Sequence, residues 1–386
     1  MGGRTLTLVG AVALLMTAPD VAQGASDWSV VDSPNRGSET TRSNYLAAVS
    51  AVDASNVWAV GKDGRGHPLI EYWNGHRWAI QTQPLVAHHA SLLSVQALSP
   101  TNVWAAGSQH GNGLQPLLLH YDGVSWTELS TVPQGSIESL SGKSSHDLWA
   151  VTFQETELGD VETLDLDHWD GVSWTTVWSA NTDITQQFGQ VSVKEVNPHD
   201  VWVVYTRANE IYGPDHSSTA FSVRWNGTRA RKTGGPDFSS NPPVFGELNG
   251  VGATSPSDVF EVGSATWADG SSAGIGALYD GSIWTNAFST THPGPDSYWF
   301  NAVAPASPAD AWAVGGWGDR QSEPTYLLLA HWDGLGWTET TDLSPTNFHN
   351  DLNDVTNVPG TDQFWAVGST QRSSMGVRTL ILHCCG

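Results

Sequence analysis

Two pairs of side chains in this sequence have the types that general acid–base chemistry uses. Glu247 and Asp351 are carboxylates that fall on either side of Trp299 in the repeat frame set out below. Carboxylates facing each other across a cleft serve as general acid and base on a glycosidic bond. His349 and Tyr45 form the second pair, suited to moving a proton in an elimination across a uronic-acid residue. Another set binds rather than reacts. Trp267, Trp299 and Trp317, with Tyr298 beside them, offer flat apolar faces for a sugar ring. Arg36, Arg42, Arg65, Arg320 and Arg372 offer planar forks for carboxylate, sulfate or phosphate. Solvation of a rim, packing of long loops on themselves, and charge balance by Asp63 and Asp319 are the plain alternatives.

Other chemistries lack their residues. No Ser-His-Asp arrangement, phosphate-cradling loop or metal-spaced ligand cluster occurs. No metal site is assigned and no cofactor is required, while Ca2+ in a central channel stays compatible with the sequence. His120, His168, His331 and His383 would suit a multi-histidine iron centre, but they recur at one motif position, which makes them structural. Cys384 and Cys385 are adjacent. They can close a ring with each other, pair with another chain or stay free. A structural clasp is expected rather than a redox role.

The chain of 386 residues carries a formal net charge of -23, from 16 Lys+Arg against 39 Asp+Glu. Such a polyanion neither releases counterions on nucleic acid nor settles on acidic lipid, so neither is an expected partner. Only 14% of residues are charged and aromatics abound, which argues against disorder. Residues 1–25 read as a secretory signal: Arg4, the apolar run Leu6 to Met16, then a small-residue cleavage region. That run is too short to span a bilayer, and no later stretch is long enough either. An exported, monomeric protein is expected, with residues 26–386 as one domain.

Positioning the candidate residues falls to a repeat. Seven segments 45 to 58 residues apart carry a short apolar strand: Val57-Trp58-Ala59-Val60-Gly61, Val103-Trp104, Leu148-Trp149, Val201-Trp202, Val259-Phe260, Ala311-Trp312 and Phe364-Trp365. A β-like segment precedes each. A third strand follows, ending in an aromatic-Asp/Asn-Gly turn such as Trp73-Asn74-Gly75 or Trp332-Asp333-Gly334. Such dipeptides favour a tight hairpin whose turn positions both take positive φ. Fourth strands open with Trp78, Trp126, Trp174, Trp284 and Trp337, while the fourth repeat has Ala230 there. Four strands in each of seven repeats predict an all-β, seven-bladed β-propeller of antiparallel blades. The seventh repeat lacks a fourth strand, and Asp27-Trp28-Ser29-Val30-Val31 matches one. The N-terminal strand is therefore expected to complete blade seven and close the ring.

The D-V-W-A-V-G and H-W-D-G-x-x-W-T patterns resemble the secreted repeat propellers common in actinobacteria. They are similar in placement to the Asp-box hairpins of sialidase-like propellers and to the kelch class. The resemblance covers essentially the whole mature chain and implies the fold; lectins, lyases, hydrolases and inert scaffolds all share it.

Topology sorts the loops. Connections 1–2 and 3–4 are short and share one face, while the long, varied 2–3 and 4–1 connections share the other, where a site is expected. Of the 20 Trp, 16 fall in repeat positions and serve blade packing; Trp178, Trp267, Trp299 and Trp317 are left near the variable face. Tyr45, Ser91, Ser136, Gln187, Glu247, Trp299 and Asp351 enter the first strands and should ring the channel mouth. The expected function is binding of a glycan or acidic polymer on this face. Polysaccharide cleavage by a lyase or glycoside hydrolase is the alternative, and a protein-interaction scaffold the third.

Overall fold

A computed structural model describes residues 28–37, 43–84, 86, 89–111, 113–155, 161–182, 186–209, 217–235, 243–289, 296–319, 324–340, 343–371 and 376–385. Residues 1–25, Arg42, Arg320 and Arg372 lie outside them. The described residues form seven four-stranded antiparallel sheets arranged as the blades of a propeller, with no helix among them. Blades one to six span 45–80, 90–128, 136–181, 186–233, 245–289 and 297–340; blade seven joins 350–384 to Ser29–Val31.

Both faces of every blade are covered by neighbouring blades, so the second strands are buried on both sides, as Val57 to Gly61 shows. This is why they read as continuous apolar runs rather than alternating ones. Tryptophan carries the ring from blade to blade. The fourth-strand Trp of one blade meets the second-strand ring of the preceding blade edge to face: Trp126 on Trp58, Trp284 on Trp202, Trp337 on Phe260, Trp28 on Trp312 and Trp78 on Trp365, all inclined 82–88°. Blade four has Ala230 instead, and there Trp225 approaches Trp149 at 6.0 Å. In five blades the second-strand ring is also met by a polar side chain of its own blade. His120, His168, His331 and His383 lie 4.2–4.6 Å from Trp104, Trp149, Trp312 and Trp365, and Arg224 sits over Trp202. Asn102, Asp147 and Asp310 hydrogen-bond the first three of these histidines. Burial holds His120 and His383 below the usual histidine range, in keeping with a packing role.

Two local expectations are corrected. The second strands run past the motif glycine, to Lys62 in blade one and Gly111 in blade two. The glycine is needed mid-strand: a Cβ at Gly61, Gly107, Gly263, Gly315 or Gly368 would overlap the facing first-strand carbonyl oxygen. The Asp/Asn-Gly turns are also not two-residue hairpins. Only the glycine takes positive φ, +86° to +95°, while the acidic or amide residue accepts two downstream N–H groups. Asp122 Oδ1, for example, accepts from Val124 and Ser125 at 2.9 Å. These bonds hold the Asp122, Asp170, Asp280 and Asp333 carboxyls below their ordinary value. Trp178 lies in the long fourth strand of blade three (Trp174–Asn181) and packs against Tyr205.

The ring closes as the sequence implied: Ser29, Val30 and Val31 pair antiparallel with His383, Leu382 and Ile381. Cys384 and Cys385 are disulfide-bonded to each other, with Cys384 buried opposite Phe364. Just past the closing strand, Ser33 Oγ lies 2.6 Å from Thr379 Oγ1 of blade seven and donates to Glu71 of blade one at 3.0 Å. Burial pushes Glu71 up to about 8, against the pull of Ser33 and Arg36, and burial does the same to Glu261 in blade five.

Two outcomes follow. Trp365→Ala removes the ring that meets Trp78 across the closing seam and should cost about 3–5 kcal/mol in urea unfolding, whereas Leu335→Ala, at 91% exposure, should stay within about 0.5 kcal/mol. Glu71 and Glu261 bind protons more tightly folded than unfolded. Stability is therefore fullest below the ordinary glutamate value of 4.5 and falls as pH rises toward about 8, by up to about 1.4 kcal/mol per pH unit for each group. Melting temperature should drop between pH 5 and pH 8, and Glu261→Gln should flatten that slope.

Candidate functional site

Each first strand carries a β-bulge facing the channel, where the register with the second strand slips. Bulges kink a strand and re-aim the extra residue. The residues left unpaired are Ala47, Leu93, Glu138, Gly189 with Gln190, Asn249, Asn301 and Asn353, and all of them line a central cavity of about 370 Å3 on the variable-loop side. Three bulge asparagines lash neighbouring blades together. Asn249 Nδ2 donates to Phe300 O, Asn301 Nδ2 to Leu352 O and Asn353 Nδ2 to Leu46 O, at 2.7–2.9 Å. No described residue donates a hydrogen bond to their carbonyl oxygens, so this end of the channel is rich in acceptors.

The rim residues are more internally engaged than a free catalytic pair would be. Trp299 is buried, at 6% exposure, and its Nε1 donates to Asp351 Oδ1 at 3.3 Å. Asn301 donates to the same oxygen at 3.2 Å. Asp351 and Trp299 are thus brought together, as a bridge between blades six and seven. Glu247, in blade five, accepts from Ser264 at 2.9 Å. His349 Nδ1 lies 2.9 Å from Thr325 Oγ1, and Tyr45 has the Lys62 ammonium 5.9 Å above its ring. Neither His349 with Tyr45 nor Glu247 with Asp351 forms a hydrogen-bonded pair in the described contacts.

The aromatics divide. Tyr298, Trp317 and Tyr326 occupy directly opposed positions on the first three strands of blade six. Tyr298 stacks on Trp317 at 5.6 Å and 5°, and Trp317 on Tyr326 at 4.6 Å and 26°. All three are half-buried, so they form a rail running outward from the channel mouth. Trp267 instead packs on Ala265, Ala273 and Ile275 of blade five. Tyr326 carried no signal beyond its apolar surroundings; only the strand register aligns it with Trp317.

Among the arginines, Arg65 is exposed and Arg36 is held in the closing seam. Its guanidinium donates to Pro68 O at 3.0 Å and to Gln83 at 3.3 Å, and lies 3.7 Å from Asp63. Asp63 also accepts the N–H groups of Arg65 and His67, so this carboxylate organises the loop. Among the described residues, no three His, Cys, Asp or Glu side chains come together as metal ligands. The signal for the asparagine ring was present in the sequence, as Leu248-Asn249, Phe300-Asn301 and Leu352-Asn353 in three consecutive repeats.

No protein-family model matches the sequence, and no curated protein does. Solved structures do. The chain is similar to a structure described as YCF48 bound to D1 peptide, with 16% identity, a TM-score of 0.54, and coverage of 93% of this chain and 96% of that one. It is also similar to a protein of unknown function from Dyadobacter fermentans, at 9% identity and a TM-score of 0.53, covering 94% and 99%. A structure of the SapL1 lectin with α-methyl fucoside aligns over 80% of this chain and 98% of its own, at 15% identity and a TM-score of 0.47. The likeness to the first two establishes the propeller fold and nothing about its ligand.

The bulge geometry is testable at its glycines. Gly315→Ala would push a Cβ into the Trp299 carbonyl and should destabilise by about 1–3 kcal/mol. Gly336→Ala, with no heavy atom within 4 Å, should be near neutral in the same chemical-denaturation measurement.

Proposed function

We propose that this protein is an exported binding propeller that takes a glycan or acidic polysaccharide at the variable-loop mouth of its channel. The observation that carries this reading is the acceptor-rich cavity of about 370 Å3, in which the Asn249, Asn301 and Asn353 carbonyls await donors. Sugar hydroxyls are such donors, and they would take the place of water on oxygens that solvent reaches in the free protein. The Tyr298–Trp317–Tyr326 rail gives the next residues of a chain an apolar edge to lie against. Binding is favoured over cleavage because Asp351 is committed to Trp299 and Asn301, and His349 to Thr325. The charged N-terminal start with its apolar run supports export, and the D-V-W-A-V-G motif supports kinship with secreted repeat propellers.

A polysaccharide panel scored for both retention and depolymerisation tests the proposal. Retention without chain shortening is expected, weakened about 5- to 30-fold in a folded Tyr298→Ala variant. Depolymerisation with new unsaturated-uronate absorbance, abolished by His349→Ala or Asp351→Asn, would overturn it in favour of an enzyme. Failure to retain any polysaccharide, with a protein partner co-purifying, would overturn it in favour of a scaffold.

A further inference from the structure

Beyond the bulge ring the channel opens into a second cavity, of about 460 Å3, toward the short-loop face. Its chemistry is the reverse of the first. The chain has only four lysines, at 62, 143, 194 and 232, and two of them, Lys143 and Lys194, line this one cavity from neighbouring blades. Among the described residues, neither ammonium has an ion pair or a hydrogen bond.

The serines around them are also set to donate. Ser50, Ser139 and Ser141 each accept a backbone N–H from the next blade, from Ala97, Val193 and Glu195 at 3.0–3.1 Å. A hydroxyl that has accepted in this way keeps its own O–H. No described acceptor takes the O–H of these three. Val95, Leu140, Val193, Val251 and Val303 also border the cavity, but they belong to the cores between blades, so polar groups dominate its exposed lining.

We propose that this cavity is a second binding site, for a small organic carboxylate, with Lys143 and Lys194 supplying charge and the serine hydroxyls supplying hydrogen bonds. The volume exceeds one inorganic ion and leaves room for a short carbon skeleton between the charged and hydroxyl groups. The facing carboxyls, Asp354 and Glu195, attract Lys194 but offset its charge only in part. Asp354 has its oxygens on the N–H groups of Val49 and Val355, and burial pushes it up to about 7. Glu195 is buried between blades three and four and is pushed up to about 8, with the Asp147 carboxylate adding to the effect. Burial and the nearby Lys143 together hold Lys194 below the usual lysine range, a cost that an entering anion relieves. The net charge of -23 repels anions at a distance, but salt screens it within about 8 Å, so the local lysine pair decides.

Isothermal titration of the full chain with succinate tests this, with neutral succinamide and inorganic sulfate as comparison probes. Succinate should bind and succinamide should not. Lys143→Gln and Lys194→Gln should each weaken succinate about tenfold, and Lys143→Arg should retain it. Tyr298→Ala, at the other mouth, should leave succinate unchanged, which separates this site from the proposed glycan site. Absence of succinate binding, equal binding of succinamide, sulfate binding as tightly as succinate, or full binding by a folded Lys143→Gln/Lys194→Gln double variant would each overturn it.

Discussion

The edge-to-face contact between a second-strand ring and the next blade's fourth-strand Trp is the interaction on which the ring depends. A propeller blade exposes two apolar faces and cannot bury either alone, so its stability lies in what the neighbour presents. Indole is wide enough to bridge the wedge between diverging sheets, and the perpendicular approach sets a positive ring edge against a negative face. Only adjacent Cys384 and Cys385 are bonded, and no disulfide links distant parts of the chain. The seam is closed instead by Trp78 on Trp365, by three residue pairs with the closing strand, and by Ser33 shared between Glu71 and Thr379. Where the pattern lapses, at Ala230, the third-strand Trp225 of the same blade is the ring that approaches Trp149.

At the centre the constraint is hydrogen bonding rather than area. Seven bulged strands meet around a channel, and each must satisfy polar groups of its neighbour. On the variable-loop side the neighbour offers a carbonyl, and asparagine answers with an amide N–H. On the short-loop side it offers an N–H, and serine answers with an oxygen. Each answer leaves the opposite capacity over. The channel is therefore polarised along its axis, acceptors at one end and donors at the other, as a by-product of joining the blades.

Blade three shows how local polarity is absorbed. Asp165 and Asp167 occupy third-strand positions where blade two has Leu117 and Leu119, and both are buried. Thr152 and Thr176 donate to Asp167, while Gln154 and Ser179 donate to Asp165. The fourth strand of this blade supplies Thr176 and, from its extra length, Ser179, so protein groups satisfy carboxyls that are nearly buried.

The sequence by itself determined the repeat, the strand count, the closing role of the N-terminal strand and the packing duty of most tryptophans, because each is written as a pattern recurring with the blade. It also exposed the histidines as structural, since residues at one repeat position are spread around the ring and cannot converge. Which side chains share a space was decided only by the tertiary structure. Trp299 looked like a free platform beside Asp351, yet the fold buries it and bonds the two together. Arg36 looked like part of a binding sector, yet the closing segment ties it to Pro68, Gln83 and Asp63. Tyr326 and the lysine pair at 143 and 194 were not singled out, because register across strands and adjacency across blades join residues that sequence separation keeps apart. The bulges made the largest difference. A single unpaired residue reverses which side chains face the channel, and no periodicity in one strand announces it.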